Sequence, residues 1–256
     1  MLKKNISYHV AIIFIFIIPC SNKIILAPIL TTSKQMIVVL TDSATAIRGN
    51  LFCFERHNSR GKWESFRSKI PVVIGHSGLG WGRGLHCISS YSDLPLKREG
   101  DGRSPAGIFR LSSVFGYLPL DHVGAIKMPY IHISELSECI DDDSSAYYNL
   151  IVSREDVEEI DWQTSEKMRS AGIYYEWGII VDHNRDPIEP GAGSCIFLHN
   201  WSNPDETTAG CTAMAPESMK EIVYWLSEEN DPLLIQLTRE LYDSYRNDLK
   251  LPDIIW

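Results

Sequence analysis

Apolar residues in this chain gather in short runs, and their spacing changes between the first half and the second. Met36–Thr41, Ala46–Glu55, Arg67–Ile74, Ile108–Leu111 and Ala125–Ile133 are rich in β-branched or aromatic residues and close on Gly, Pro, Asp or Ser, which predicts strands. Cys195–Leu198 is wholly apolar and is entered through Pro190, Gly191 and Gly193, the pattern of a buried strand following a turn. Helical spacing comes later. Ser165–Gly172 reads as a short helix. Pro216–Glu229 is the clearest one, with Met219, Ile222, Val223 and Leu226 on one stripe, Pro216 in the first turn and Glu217 at the positive end of the dipole. Leu233–Leu237 reads as a last strand and Thr238–Lys250 as a last helix. Many short strands with few helices and no strand–helix–strand alternation predict a mainly β fold, a β-sandwich.

The ends change the picture. Lys3 and Lys4 precede an unbroken apolar run, Val10–Ile18, and then Pro19, Cys20, Ser21 and Asn22. These are the charged and apolar regions of a secretory signal, and the run is too short to span a bilayer. Export to the periplasm or cell envelope is expected, with residues 1–27 as a cleaved signal peptide; an uncleaved anchor and a lipidated Cys20 are the alternatives. Loss of those residues would remove Lys3, Lys4 and Lys23 and no acid, moving the net charge from -9 to -12. An acidic chain without a basic run is a poor nucleic-acid ligand. No other apolar stretch is long enough to cross a membrane. The six cysteines, Cys20, Cys53, Cys87, Cys139, Cys195 and Cys211, lack the paired spacing of a zinc site. His76, His86 and His132 are likewise spread without metal-binding spacing and read as structural or exposed. Asp141, Asp142 and Asp143 lack the alternate acids, central glycine and distal glutamate of a calcium loop. No metal or organic cofactor is expected.

The chemistry concentrates in Cys195–Met214. A cysteine at its ordinary pKa is mostly thiol at neutral pH and needs a neighbouring base to become a nucleophile. His199 stands where the apolar run leaves the core, and Asn200–Thr208 is a polar stretch containing Pro204 that would fold back to bring Cys211 to it. Gly210 removes a side chain where a substrate carbonyl must approach, and backbone amides at the turn, that of Cys211 first, would stabilise an oxyanion.

This stretch resembles the YkuD-type L,D-transpeptidase catalytic domain, whose signature is an upstream histidine, a serine or threonine, a short spacer and Gly-Cys. Here these are His199, Thr208, Gly210 and Cys211. The resemblance continues through VVIGHSGLGWGRG at 72–84, GDGRSPAGIFRL at 100–111, CIDDDSSAYYN at 139–149 and EWGIIVDHN at 176–184. It covers roughly residues 36–238, leaving 239–256 as a helical C-terminal extension. Two positions depart from the common form: Ala209 replaces a histidine and Ala213 replaces an arginine, which removes an imidazole near the sulfur and a cation able to pair with a substrate carboxylate. Because Cys139 and Cys195 both lie in matching stretches, the resemblance favours that pair among the possible bridges, with isolated buried thiols an equal alternative.

The resemblance implies the same sandwich fold and a substrate, peptidoglycan stem peptides carrying diaminopimelate followed by D-alanine. Cys211 would attack the carbonyl on the L-centre of diaminopimelate, with His199 as base and Thr208 fixing the turn. An amine acceptor gives transpeptidation, and water gives an L,D-carboxypeptidase. A wall-binding protein that kept the fold and lost catalysis is a second class, and a thiol redox protein pairing Cys195 with Cys211 a third. Trp81, Arg83, Tyr130 and Trp201 are candidate substrate contacts, with packing the competing role for Trp81, Arg83 and Tyr130. His183 in VDHNRDP is a candidate support for the cleft, though a turn histidine with a solvated ring is the simpler expectation. Asp182 would orient His199 if close, a role the resemblance gives instead to a backbone carbonyl. The glycines of 75–84 lack the lysine of a phosphate loop and read as tight turns.

Overall fold

The computed structural model describes residues 27–86 and 94–254. Residues 1–26 of the expected signal, with Cys20, and Cys87 lie outside them. The elements run α1 (Ala27–Thr32), β1 (Gln35–Thr41), β2 (Arg48–Glu55), β3 (Glu64–Ser65), β4 (Ile70–Val73), β5 (Leu79–Trp81), β6 (Ser104–Gly116), β7 (Tyr130–His132), β8 (Ser137–Cys139), β9 (Ile151–Ser153) and β10 (Glu166–Lys167). They continue with a 3-10 stretch (Met168–Tyr175), β11 (Trp177–Val181), β12 (Phe197–Asn200), β13 (Thr212–Met214), α2 (Pro216–Trp225), β14 (Leu233–Thr238) and α3 (Arg239–Leu249).

The fold is mainly β, as the pattern predicts. Its strands pair in the order β1-β14-β6-β11-β12-β13-β4-β2, and β2 pairs back onto β1. That last pairing closes the sheet into a barrel-like circuit, so the pairings do not establish the two separate sheets of the expected sandwich. β1 makes the closure possible because every position from Gln35 to Thr41 is buried and both its edges are paired, parallel to β14 and antiparallel to β2. A smaller sheet, β10-β8-β9, stands apart from the circuit.

β12 explains where the site sits. Ile196 and Leu198 belong to the main core with Ile179, Val181 and Met214, whereas Phe197 belongs to a second apolar cluster with Phe115, Ile180, Met168, Tyr175, Cys139, Cys195 and Cys211. This is strand alternation with both faces covered, which is why the run is apolar throughout. The second cluster lies where the 3-10 stretch and β8 cover the outer side of β6, β11 and β12. Cys139 on β8 is disulfide-bonded to Cys195 at the entrance to β12, tying the cover to the circuit. Next to it the buried Glu138 carboxylate accepts from Trp162 Nε1 (3.0 Å) and Ser165 Oγ (2.6 Å) and pairs with Arg154 and Lys167. Burial pushes its pKa up, but these partners outweigh burial and hold it at about 2.

Local differences from the sequence reading have visible causes. The helix expected over Ser165–Gly172 is replaced by β10 and the 3-10 stretch, because Glu166 and Lys167 pair with β8 and Gly172 adopts φ 62, ψ -134. α2 stops at Trp225 rather than Glu229. Gln35 takes over there, donating to the Trp225 carbonyl (2.9 Å) and accepting from the Ser227 amide (2.8 Å). α3 is capped by Thr238 and anchored by buried Tyr242, whose hydroxyl donates to the Pro252 carbonyl at 2.9 Å. No helix among the described residues is long and apolar enough to cross a membrane.

The bridge closes a loop with a sequence separation of 56. The double variant Cys139→Ser/Cys195→Ser is expected to lose about 4 kcal/mol of unfolding free energy through the greater entropy of its unfolded chain, read as a lower urea midpoint than the oxidised wild type.

Candidate active site

The site is built by strand register. β12 and β13 run parallel with Leu198 opposite Thr212 and His199 opposite Ala213, so Cys211 falls beside Phe197, on the face that His199 shares. The thiol confirms this placement: Sγ accepts from the Phe197 amide at 3.3 Å and donates to the Cys195 carbonyl at 3.4 Å. The cysteine's own carbonyl accepts from Thr208 Oγ1 (2.6 Å) and Ser104 Oγ (2.9 Å), and the Gly210 amide donates to Thr208 Oγ1 at 3.2 Å. Thr208 thus clamps the turn that presents the thiol. A side chain at position 210 would put its Cβ 3.1 Å from the Arg103 carbonyl oxygen, so the glycine is needed for close packing there.

His199 Nδ1 is 2.6 Å from the Asn200 carbonyl. That contact assigns the proton to Nδ1 and leaves the Nε2 lone pair as the base. Tyr175 packs edge-on against the imidazole with centroids 5.4 Å apart, and its hydroxyl donates to Glu166 Oε2 at 2.5 Å. Cys211 and His199 are each only 7% exposed. Burial pushes the thiol far above its ordinary pKa, and Glu166 adds to this while the Phe197 amide and Lys97 oppose it. Burial likewise lowers the imidazole to about 4 against the pull of the Asn200 carbonyl. The resting site therefore holds a neutral thiol and a neutral base on one strand face. Glu166 itself is raised to about 7 by burial, with Tyr175 opposing.

Other expected residues land elsewhere. His183 is buried at the end of β11, not solvated: Nδ1 accepts from the Arg83 amide (3.1 Å) and Nε2 faces the Ala192 carbonyl (3.0 Å). Its place is structural support for the loop leading to Cys195. Asp182 accepts from Ser112 Oγ at 2.6 Å, so the Asn200 carbonyl, not this carboxylate, orients His199. Trp81 is 4% exposed within the main core, which removes it from substrate contact. Arg83 pairs with Glu189 on the loop that His183 holds. Tyr130 donates to the Leu118 carbonyl at 2.6 Å and packs on the main core at the Gly116 end of β6, with no described contact to the thiol. Trp201 continues the β12–β13 ladder, its amide donating to the Met214 carbonyl at 2.8 Å, and its partly exposed side chain stays at the rim. His86 is held by the Ile108 amide at 3.1 Å and burial lowers it to about 4. Cys195 is bridged to Cys139 while Cys211 is free, which removes the Cys195–Cys211 redox pair. Among the described residues no group of three or more His, Cys, Asp or Glu could hold a metal ion.

Sequence reasoning missed Ser104, Asn149, Tyr175, Glu166 and Lys97. Asn149 is the hub of the support: its Nδ2 donates to the carbonyls of His183 (3.0 Å) and Asn184 (2.8 Å) and its Oδ1 accepts from the Cys195 amide (3.0 Å). Its φ of 62 suits asparagine better than most residues. Ser104 and Asn149 lay inside stretches that resemble the family, so that signal was present; Glu166, Tyr175 and Lys97 carried none.

A free, buried thiol on the same face as an imidazole whose Nδ1 is fixed by a backbone carbonyl is the arrangement of a cysteine acyl-transfer site. The family described as YkuD, L,D-transpeptidase catalytic domain, matches residues 51–235. The chain belongs to this family, whose members are cysteine acyltransferases acting on peptidoglycan peptides. Comparison with curated proteins and with solved structures found no match.

Asn149→Ala leaves two carbonyls and one amide without their partner in a buried place, and about 2–4 kcal/mol of stability is expected to go with it. Chemical denaturation measures the loss, and Asn149→Asp, which keeps the acceptor for Cys195 but sets a buried carboxylate oxygen against the His183 and Asn184 carbonyls, is expected to lose at least as much.

Proposed function

We propose that this chain is an exported cysteine L,D-transpeptidase that transfers an acyl group from the L-centre of diaminopimelate in peptidoglycan stem peptides and releases D-alanine. The observation that carries the reading is the shared face of Cys211 and His199, with His199 Nδ1 held by the Asn200 carbonyl. Family membership supports the substrate class, and the Lys3, Lys4 and Val10–Ile18 pattern supports export.

In the proposed reaction the Cys211 S–H proton passes to His199 Nε2 as sulfur attacks the stem-peptide carbonyl. The C–S bond forms and the carbonyl oxygen becomes an oxyanion near the Cys211 amide. Collapse breaks the C–N bond, and the imidazolium returns its proton to the departing D-alanine amine. The thioester then meets an acceptor amine, His199 removing that amine's proton while the C–S bond breaks and the thiol is restored. At neutral pH His199 is unprotonated and free to accept the thiol proton, and because burial weakens it as a base, the transfer is coupled to sulfur's attack rather than preceding it. Thr208 and Ser104 hold the Cys211 backbone still throughout. Water in place of the amine gives a carboxypeptidase, and exclusion of water decides between the two.

The test is intact-protein mass and product analysis of the full chain with a diaminopimelate-containing tetrapeptide and an acceptor stem. An adduct of the tetrapeptide minus D-alanine is expected, absent in Cys211→Ala, and formed about 10²–10⁴-fold more slowly in His199→Ala. Cross-linked product identifies transfer and free tripeptide identifies hydrolysis. Folded protein with the Cys139–Cys195 bridge intact and Cys211 a free thiol, giving neither adduct nor product, would leave the wall-binding reading.

A further inference from the structure

Lys97 is buried beside the nucleophile, and nothing in the proposed reaction yet uses it. Its side chain is 3% exposed, and its Nζ donates to Asp101 Oδ1 and to the Arg98 carbonyl, both at 2.6 Å. The backbone is fixed as well, through the Lys97 amide on the Trp81 carbonyl at 2.8 Å. Asp101 is in turn held by the amides of Arg98 (2.8 Å) and Arg103 (2.9 Å). Two glycines leave room for the lysine stem. A Cβ at Gly193 would stand 3.2 Å from Lys97 Cε, and one at Gly210 would stand 3.8 Å from the same atom. The stem therefore lies between the residue two before Cys195 and the residue immediately before Cys211.

The register shows why this matters. Ala213, directly opposite His199, carries no charge, and neither does Ala209 before Gly210. Groups that face the thiol electrostatically are Glu166, Tyr175 and Lys97, with His199 neutral on the same face. Glu99, bonded by Tyr148 and Ser194, and Asp141 face Glu166. Lys97 faces Asp101, and His183 feels its charge. Among these groups Lys97 is the cation, and Glu166 is the acid that disfavours a negative sulfur.

We propose that Lys97 is a positioning residue for Cys211: its ammonium, delivered beside Gly210 by the Asp101 turn, offsets the anionic charge that sulfur and then the oxyanion carry during acyl transfer. The mobile proton stays between sulfur and His199. Asp101 fixes the ammonium and also weakens its field at the sulfur, so the two residues act in opposite directions. This inference rests on Cys211 as the nucleophile.

The test is the rate of iodoacetamide labelling at Cys211 in the full chain, followed by mass of the Cys211 peptide from pH 6 to 9. Below the thiol midpoint each tenfold change in rate corresponds to one unit of pKa. Lys97→Met is expected to slow labelling about tenfold at every pH, Lys97→Arg to stay within about threefold of wild type, and Asp101→Asn to speed it. Cys53, buried in the main core, reports loosening and is expected to stay unlabelled. A structural role would move both variants the same way and expose Cys53. If Lys97→Met does not fold, Asp101→Asn decides: faster labelling with Cys53 protected supports the proposal, and an unchanged or slower rate overturns it. Labelling needs no peptidoglycan, so failure here is separable from failure of the transpeptidase reading.

Discussion

The parallel pairing of β12 with β13 is the constraint on which the rest of the site depends. Parallel neighbours need a crossover, usually of a dozen or more residues, and here the chain returns within Trp201–Cys211. It does so because the returning segment is stitched to the next strand on its far side. The Thr208 amide donates to the Ile74 carbonyl (3.1 Å), and the His76 amide donates to the Thr208 carbonyl (2.9 Å). Threonine thus does two things in one turn, pairing by its backbone with the β4 end and clamping Cys211 by its hydroxyl. A slip of one residue in this register would move the thiol to the main-core face.

The second dependence is burial. Covering the outer face of β12 with the 3-10 stretch and β8 makes the thiol and the imidazole neutral at rest, since each would have to hold a charge away from water. The disulfide from β8 to Cys195 and the Asn149 hub keep that cover in place, and both converge on the residues entering β12. Stability and chemistry are linked here. The thiol and the imidazole are the neutral pair, with the Lys97–Asp101 pair held within the turn and the Glu166 carboxyl raised to about 7 nearby.

Much of this was legible in the residues. The apolar run before His199, the threonine and the Gly-Cys step were local signals, and continuous apolar runs placed β1 to within a residue and β12 two residues early. Closure of the sheet was not legible, because it depends on β1 pairing at both edges, which no single-strand pattern encodes. The solvated ring expected of His183 was not met, because a histidine in a polar turn looks exposed locally and only the fold back of residues 184–195 buries it; for Trp81, of the two roles left open, packing is the one the core gives it. Lys97 was invisible because a lysine in LPLKREGD has the signature of a solvated loop; its burial is created by two glycines far away in sequence.

The central claim is that the site rests as neutral thiol and neutral imidazole, and imidazole ¹⁵N NMR of the full chain, with His199→Gln to assign the signals, reads it directly. The claim requires His199 to be neutral at pH 7 with the proton on Nδ1. It should take a second proton only as pH falls towards about 4, because burial lowers the pKa and the charged form is favoured below that value. An imidazolium at pH 7, paired with a Cys211 thiolate, would contradict it.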